Sequence, residues 1–158
     1  MIIDLSTIII TAIFIVAIFG PIAYLIWKGQ NRLHESIRNL KAIEKDHQLN
    51  CTVLESWSDK AIGLDSQNKK LIFVDIQPSP LLWKLIDLKK VANCKVIDAG
   101  EVIQLAIGEG SKVDLLTFFN IQTDDPVDRG FHLVLAKKWA QLIDKNITKH
   151  EKSPRRAA

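Results

Sequence analysis

Lys70-Leu-Ile-Phe-Val-Asp-Ile76 is the most strand-like stretch of the chain. Its β-branched and aromatic core is held between two sets of turn formers, Asp65-Ser-Gln-Asn-Lys69 before it and Gln77-Pro-Ser-Pro80 after it. Such residues pack well on a pleated, half-buried surface, so the run predicts a strand. The two prolines have no N–H to give to a ladder, so they end it. On the N-terminal side, Ala61–Leu64 and Cys51–Trp57 read as two more strands, with Ser58-Asp59-Lys60 as the turn between them. On the C-terminal side, strands are expected at Trp83–Leu88, Ala92–Ile97, Val102–Ile107 and Val113–Ile121. They are separated by Lys89-Lys90, Asp98-Ala-Gly100 and Gly108-Glu-Gly-Ser111. About seven short strands at meander spacing point to an antiparallel barrel or sandwich.

The period then changes. Asp125 followed by Pro126 is a helix start, an N-cap with proline at the first helical position. Apolar residues at Phe131, Leu135, Trp139, Leu142, Ile143 and Ile147 recur at threes and fours, and Lys137, Lys138, Gln141 and Asp144 fill the other face. This is an amphipathic helix with Trp139 at the middle of its apolar stripe. The last residues, 149–158, include Ser153-Pro154-Arg155-Arg156 and have nothing to bury, so they are expected to be a disordered basic tail.

Residues 1–27 belong to another solvent. Leu5–Trp27 reads LSTIIITAIFIVAIFGPIAYLIW without a charge, and as a helix it would span roughly 34 Å against a hydrocarbon core of about 30 Å. Tyr24 and Trp27 close the run as headgroup-level rings, and Lys28 and Arg32 follow as cationic interface anchors. A cleaved signal peptide would want a basic flank, a shorter apolar core and a small-residue cleavage site, and none is present. Lys28, Arg32, Arg38 and Lys41 crowd the downstream side against none upstream. The positive-inside rule therefore predicts a single pass through the inner (plasma) membrane, N-terminus outside and domain cytoplasmic. Gly20-Pro21 is expected to kink the helix, since proline removes a backbone donor.

Residues 28–48 read as a helical stalk with one apolar stripe, Ile26, Leu33 and Leu40 with Ile37 and Ile43 beside it. Three uses remain open for the stripe: a dimer seam, a helix lying on an anionic leaflet, or packing on the chain's own domain. The domain proper, 49–148, carries twelve basic and thirteen acidic residues, a balance that argues against a nucleic-acid partner. Positive charge gathers instead beside the membrane and in the tail, and the whole chain of 158 residues carries +3. Cys51 and Cys94 are too few and too far apart for a disulfide framework, and they suit a reducing compartment or buried packing.

The residues Ser58-Asp-Lys-Ala-Ile-Gly-Leu-Asp65, Lys69-Lys-Leu-Ile-Phe-Val74, Ile86-Asp-Leu-Lys-Lys-Val91, Cys94-Lys-Val-Ile97 and Ala136-Lys-Lys-Trp-Ala140 follow one another in this order. Together they resemble an uncharacterised family of bacterial membrane-anchored pleckstrin-homology-like (PH-like) proteins. The resemblance covers about residues 49–148 and implies an α+β, mainly β fold: a bent antiparallel barrel of about seven strands capped by a C-terminal helix, with Trp139 supplying the bulk to fill one open end of the sheet. Phosphoinositide-binding members of the wider superfold carry a basic pattern in the first hairpin. Here that turn is Trp57-Ser-Asp-Lys60, one lysine beside an acid.

No catalytic constellation is legible. The four histidines, His34, His47, His132 and His150, have no metal-ligand spacing. Gly108-Glu-Gly-Ser-Lys112 lacks the spacing of a phosphate loop and precedes a strand, so it reads as a hairpin turn. Asp59, Asp65, Asp75 and Asp87 fall at turns and on alternating strand positions without pairing for acid–base work, and Cys94 reads as a buried small hydrophobe. The expectation is a non-enzymatic chain with no cofactor and no metal: a membrane-tethered interaction module that recruits or scaffolds a protein partner at the cytoplasmic face. Tethering would raise the effective concentration of a membrane-bound partner. The alternatives are a domain that senses anionic lipid through weak contacts of stalk and tail, or a small subunit of a membrane complex.

Overall fold

Anchor and stalk form one helix. In a computed structural model, which describes residues 5–109 and 112–147 (the side chains of residues 5–7, 28–30 and 109 excepted), α1 runs unbroken over Leu5–Asp46. Its 42 residues make a rod about 63 Å long, and it passes through Pro21 without interruption. It ends where Gln48 takes a left-handed φ of 52° and the Leu49 N–H bonds back to the Glu44 carbonyl at 2.9 Å. The expected tail lies outside the described residues.

Seven antiparallel strands follow in two sheets. β1 (Val53–Trp57), β2 (Lys60–Asp65), β3 (Lys70–Asp75) and β4 (Leu82–Asp87) pair in sequence order as a four-stranded sheet. β5 (Asn93–Asp98), β6 (Val102–Glu109) and β7 (Lys112–Asn120) make a three-stranded one. The expected barrel does not close: among the described residues no ladder joins β4 to β5 or β7 to β1. Side chains stand where ladder bonds would be. Trp57 stacks on Phe118 with centroids 4.7 Å apart, and its Nε1 donates to the Phe118 carbonyl. The strands that such a ring separates cannot approach to the roughly 4.8 Å of a ladder. Lys84 of β4 also reaches β7, its Nζ donating to the Leu115 carbonyl at 3.1 Å.

The strand alternation sends Ile62, Leu64, Leu71, Phe73 and Ile86 inward to meet Ile103, Leu105, Ile107, Leu116 and Phe118 of the other sheet. A one-turn 3-10 segment, Pro126–Asp128, leads into α2 (Arg129–Asn146), with Asp125 as its cap accepting from the Val127 N–H. α2 lays Leu135, Ala136, Trp139 and Ile143 over this core. Phe131, expected on that face, is 58% exposed, and His132 is buried in its place. Helical phase gives the reason. At 100° per residue position 132 falls about 20° from the Trp139 direction, whereas position 131 falls about 80° away.

A second, smaller core lies on the outer face of the four-stranded sheet. There Leu40 of α1, with Ile43 beside it, packs on Ala61, Ile72 and Val74. Of the three uses left open for the stalk stripe, the one seen is packing on its own domain. Gly63 makes the close approach feasible, since a Cβ there would sit 2.9 Å from Cys51 Sγ and 3.3 Å from Leu40 Cδ2.

Candidate functional site

α1 changes character along its length. From Ile8 to Trp27 every residue is exposed, including Tyr24 at 58% and Trp27 at 62%. The chain is long and apolar enough here to cross a membrane, a description that a signal sequence near an N-terminus also meets. From Leu33 onward the same helix is amphipathic, with Ser36 and Leu40 fully buried against the sheet. The side chain of Lys28, expected as an interface anchor, lies outside the described ones. Arg32 has a protein partner: its Nη1 is 2.8 Å from Asp59 Oδ2 in the β1–β2 turn. The guanidinium is half exposed, so the pair contributes at most about 1 kcal/mol. It does fix which end of the domain faces the apolar half of α1.

That end holds a buried polar cluster which sequence reading missed. Lys60, expected in the turn, instead opens β2 and is 1% exposed, and its Nζ lies 3.3 Å and 3.4 Å from the two carboxylate oxygens of Asp124. Asp124 also accepts the Asn120 N–H at 2.8 Å, tying the end of β7 to the start of β2. A buried pair of this kind adds little over an apolar filling, but removing either member strands a charge at about 3–5 kcal/mol. Asp75 stands nearby. Burial raises its carboxyl above the usual range, opposed by the Gln77 N–H and by Lys60.

His132 completes the cluster. It is 2% exposed, sits against Phe119 and Phe131, and neither ring nitrogen has a hydrogen-bond partner. Burial pushes its proton affinity down, Asp124 works the other way, and Lys60 adds to the burial effect. The imidazole is thereby held neutral. A separation of 64 positions between Lys60 and Asp124 hides the pairing from any local reading. The helical phase of position 132 was the one available signal.

The expected cap residue, Trp139, is fully buried, and its Nε1 donates to Glu55 Oε2 at 2.9 Å while Lys138 Nζ reaches both oxygens of the same carboxylate. At the far end of the domain, Asp65 is fully buried and gathers the N–H groups of Asn50, Gln67 and Asn68. These bonds outweigh burial and hold its carboxyl below the usual range. Cys51 and Cys94 are free, both thiols pushed up to about 12, chiefly by burial. Among the described residues no three His, Cys, Asp or Glu side chains gather as a metal site. An open groove beside Ala92, lined by Asp144, Lys145 and Ile147, brings together one acid and one base at the last turn of α2.

The geometry thus offers two things: an apolar rod exposed from Ile8 to Trp27, and a polar-cored end of the domain turned toward it. Comparison of the chain with protein-family models, with curated proteins and with solved structures finds no match, so these residues alone carry the functional reading.

Proposed function

We propose that the chain is a single-pass membrane-anchored interaction module of PH-like fold, held at the cytoplasmic face to recruit or scaffold a protein partner. The observation that carries this reading is the continuity of α1, whose bare apolar half and docked amphipathic half are one helix. An exposed apolar surface of that extent asks for hydrocarbon, and the basic residues downstream of it favour the cytoplasmic side for the domain. A four-stranded and a three-stranded antiparallel sheet closed by a helix with a central tryptophan agree with a PH-like arrangement.

The first hairpin favours a protein partner over an anionic headgroup. Its only lysine, Lys60, is consumed by Asp124, and its acid, Asp59, by Arg32. The hairpin's one cation is therefore not left for a phosphate. Scaffolding needs no such pocket, since anchorage already supplies membrane residence.

Full-length protein in native membranes tests the reading. It should resist alkaline carbonate extraction, keep its unprocessed mass, and lose its domain to protease only in inside-out vesicles. Partner-dependent crosslinks from the domain should persist when anionic lipid is depleted. Extraction by carbonate or a shortened mass would remove the anchor, and crosslinks that vanish with anionic lipid would favour lipid sensing instead.

A further inference from the structure

We propose that the corner between β7 and α2 is a second, apolar membrane contact, through which Ile121, Val127 and Phe131 enter the headgroup region beside α1. The proposal rests on the reading of α1 as a membrane span, and the test below separates the two.

Placement comes from a short run of contacts. Arg32 follows Trp27 by five residues, or about 7.5 Å of helix. A headgroup layer is roughly 5–8 Å thick per leaflet, so Arg32 stands at its outer rim. Arg32 holds Asp59, the next residue Lys60 holds Asp124, and Asp124 begins the segment that carries Pro126–Asp128 into α2. The opposite end of α2 points away, with Asn146 accepting from Lys69 Nζ at the β2–β3 loop. The N-terminal end of α2 therefore shares the level at which α1 leaves the bilayer.

Exposure supplies the second argument. Val127 is 88% exposed, Phe131 58% and Ile121 44%, on a corner that also exposes Gln122, Thr123, Asp125 and Asp128. Along the same flank of α2 the stripe continues through Val134 and then becomes Lys138, so apolarity is greatest at the membrane end. Asp125 and Asp128 flank Val127, and Asp125 is engaged in capping its N–H at 2.9 Å. With two acids present, attraction to anionic lipid cannot be the driving force. The contact is apolar and suits a neutral leaflet.

The test uses the full-length chain in nanodiscs of zwitterionic lipid, with single cysteines at Val127→Cys, Val16→Cys and Gln67→Cys carrying an environment-sensitive fluorophore. Cys51 and Cys94 are replaced by alanine in all three, so that only the introduced thiol is labelled. Quenching by spin-labelled acyl chains near the headgroup should be several-fold greater at position 127 than at the far-end control 67, and greatest for deep labels at position 16. It should be unchanged by salt or by anionic lipid. Quenching at 16 with 127 no different from 67 overturns the second contact while leaving the span intact, and would assign the corner to a protein partner. Quenching at 127 that grows with anionic lipid and fades with salt overturns its apolar character. No quenching at 16 removes the span and the proposal together.

Discussion

The two faces of the four-stranded sheet are covered in different ways. The inner face meets α2 and the second sheet in a core of nineteen buried residues centred on Trp139. Among the described residues the outer face meets the second half of α1, in a patch whose four fully buried members include Leu40. Inner burial is what makes the domain fold. Outer burial is what joins the domain to the rod, and its smaller area makes the joint the weaker of the two.

The largest expected effect breaks the inner side. Trp139→Ala removes the biggest fully buried side chain and its bond to Glu55, and should destabilise the domain by about 3–5 kcal/mol. Chemical denaturation in detergent should show the loss as a lower midpoint for the whole domain. A change under about 1 kcal/mol would mean that α2 is not part of the cooperative unit.

Leu40→Ala attacks the outer side and should cost about 2–3 kcal/mol, the low end for such a truncation because the patch is shallow. Hydrogen exchange should accelerate in residues 33–46 while the amides of β6 and β7 keep their protection. Equal acceleration in both would erase the distinction between fold and joint.

The smallest effect sharpens the inner side alone. Burial holds the His132 imidazole neutral in the folded chain, whereas the unfolded chain takes up a proton around its ordinary value of 6.5. Below that value the unfolded state binds more protons, so stability is lost as pH falls toward the depressed folded value. His132→Phe abolishes this term and keeps a ring against Phe119. Its stability relative to the parent should rise between about pH 7.5 and about pH 5, read from denaturant midpoints. Asp75 titrates in both proteins and drops out of the difference. A constant gap across pH would place the imidazole in contact with water.

The strands were legible because each announces itself locally. Lys70–Asp75 is a β-branched run between turn formers, and its predicted and observed bounds differ by one residue. The split into two sheets was not, since it depends on where Trp57 meets Phe118, 61 residues later in the chain. The joining of anchor and stalk into one helix was compatible with the sequence, but the docking of Leu40 required knowing that Gly63 opens the sheet surface. Lys60 looked like an ordinary turn residue because its partner is far away in sequence. Phe131 was assigned to the core because it is apolar and falls four residues before Leu135. Stepping the helix from Trp139 would have chosen His132.

An unbroken α1 couples bilayer thickness to domain attitude. Where an apolar stretch exceeds the local hydrocarbon thickness it tilts, and a stretch that is too short stands upright. Among the described residues no turn or coil lies between Trp27 and the docked stripe to absorb that angle. If α1 spans the bilayer, the sheets lean with it, and a thicker or thinner membrane would turn a different side of the domain outward without any ligand being bound.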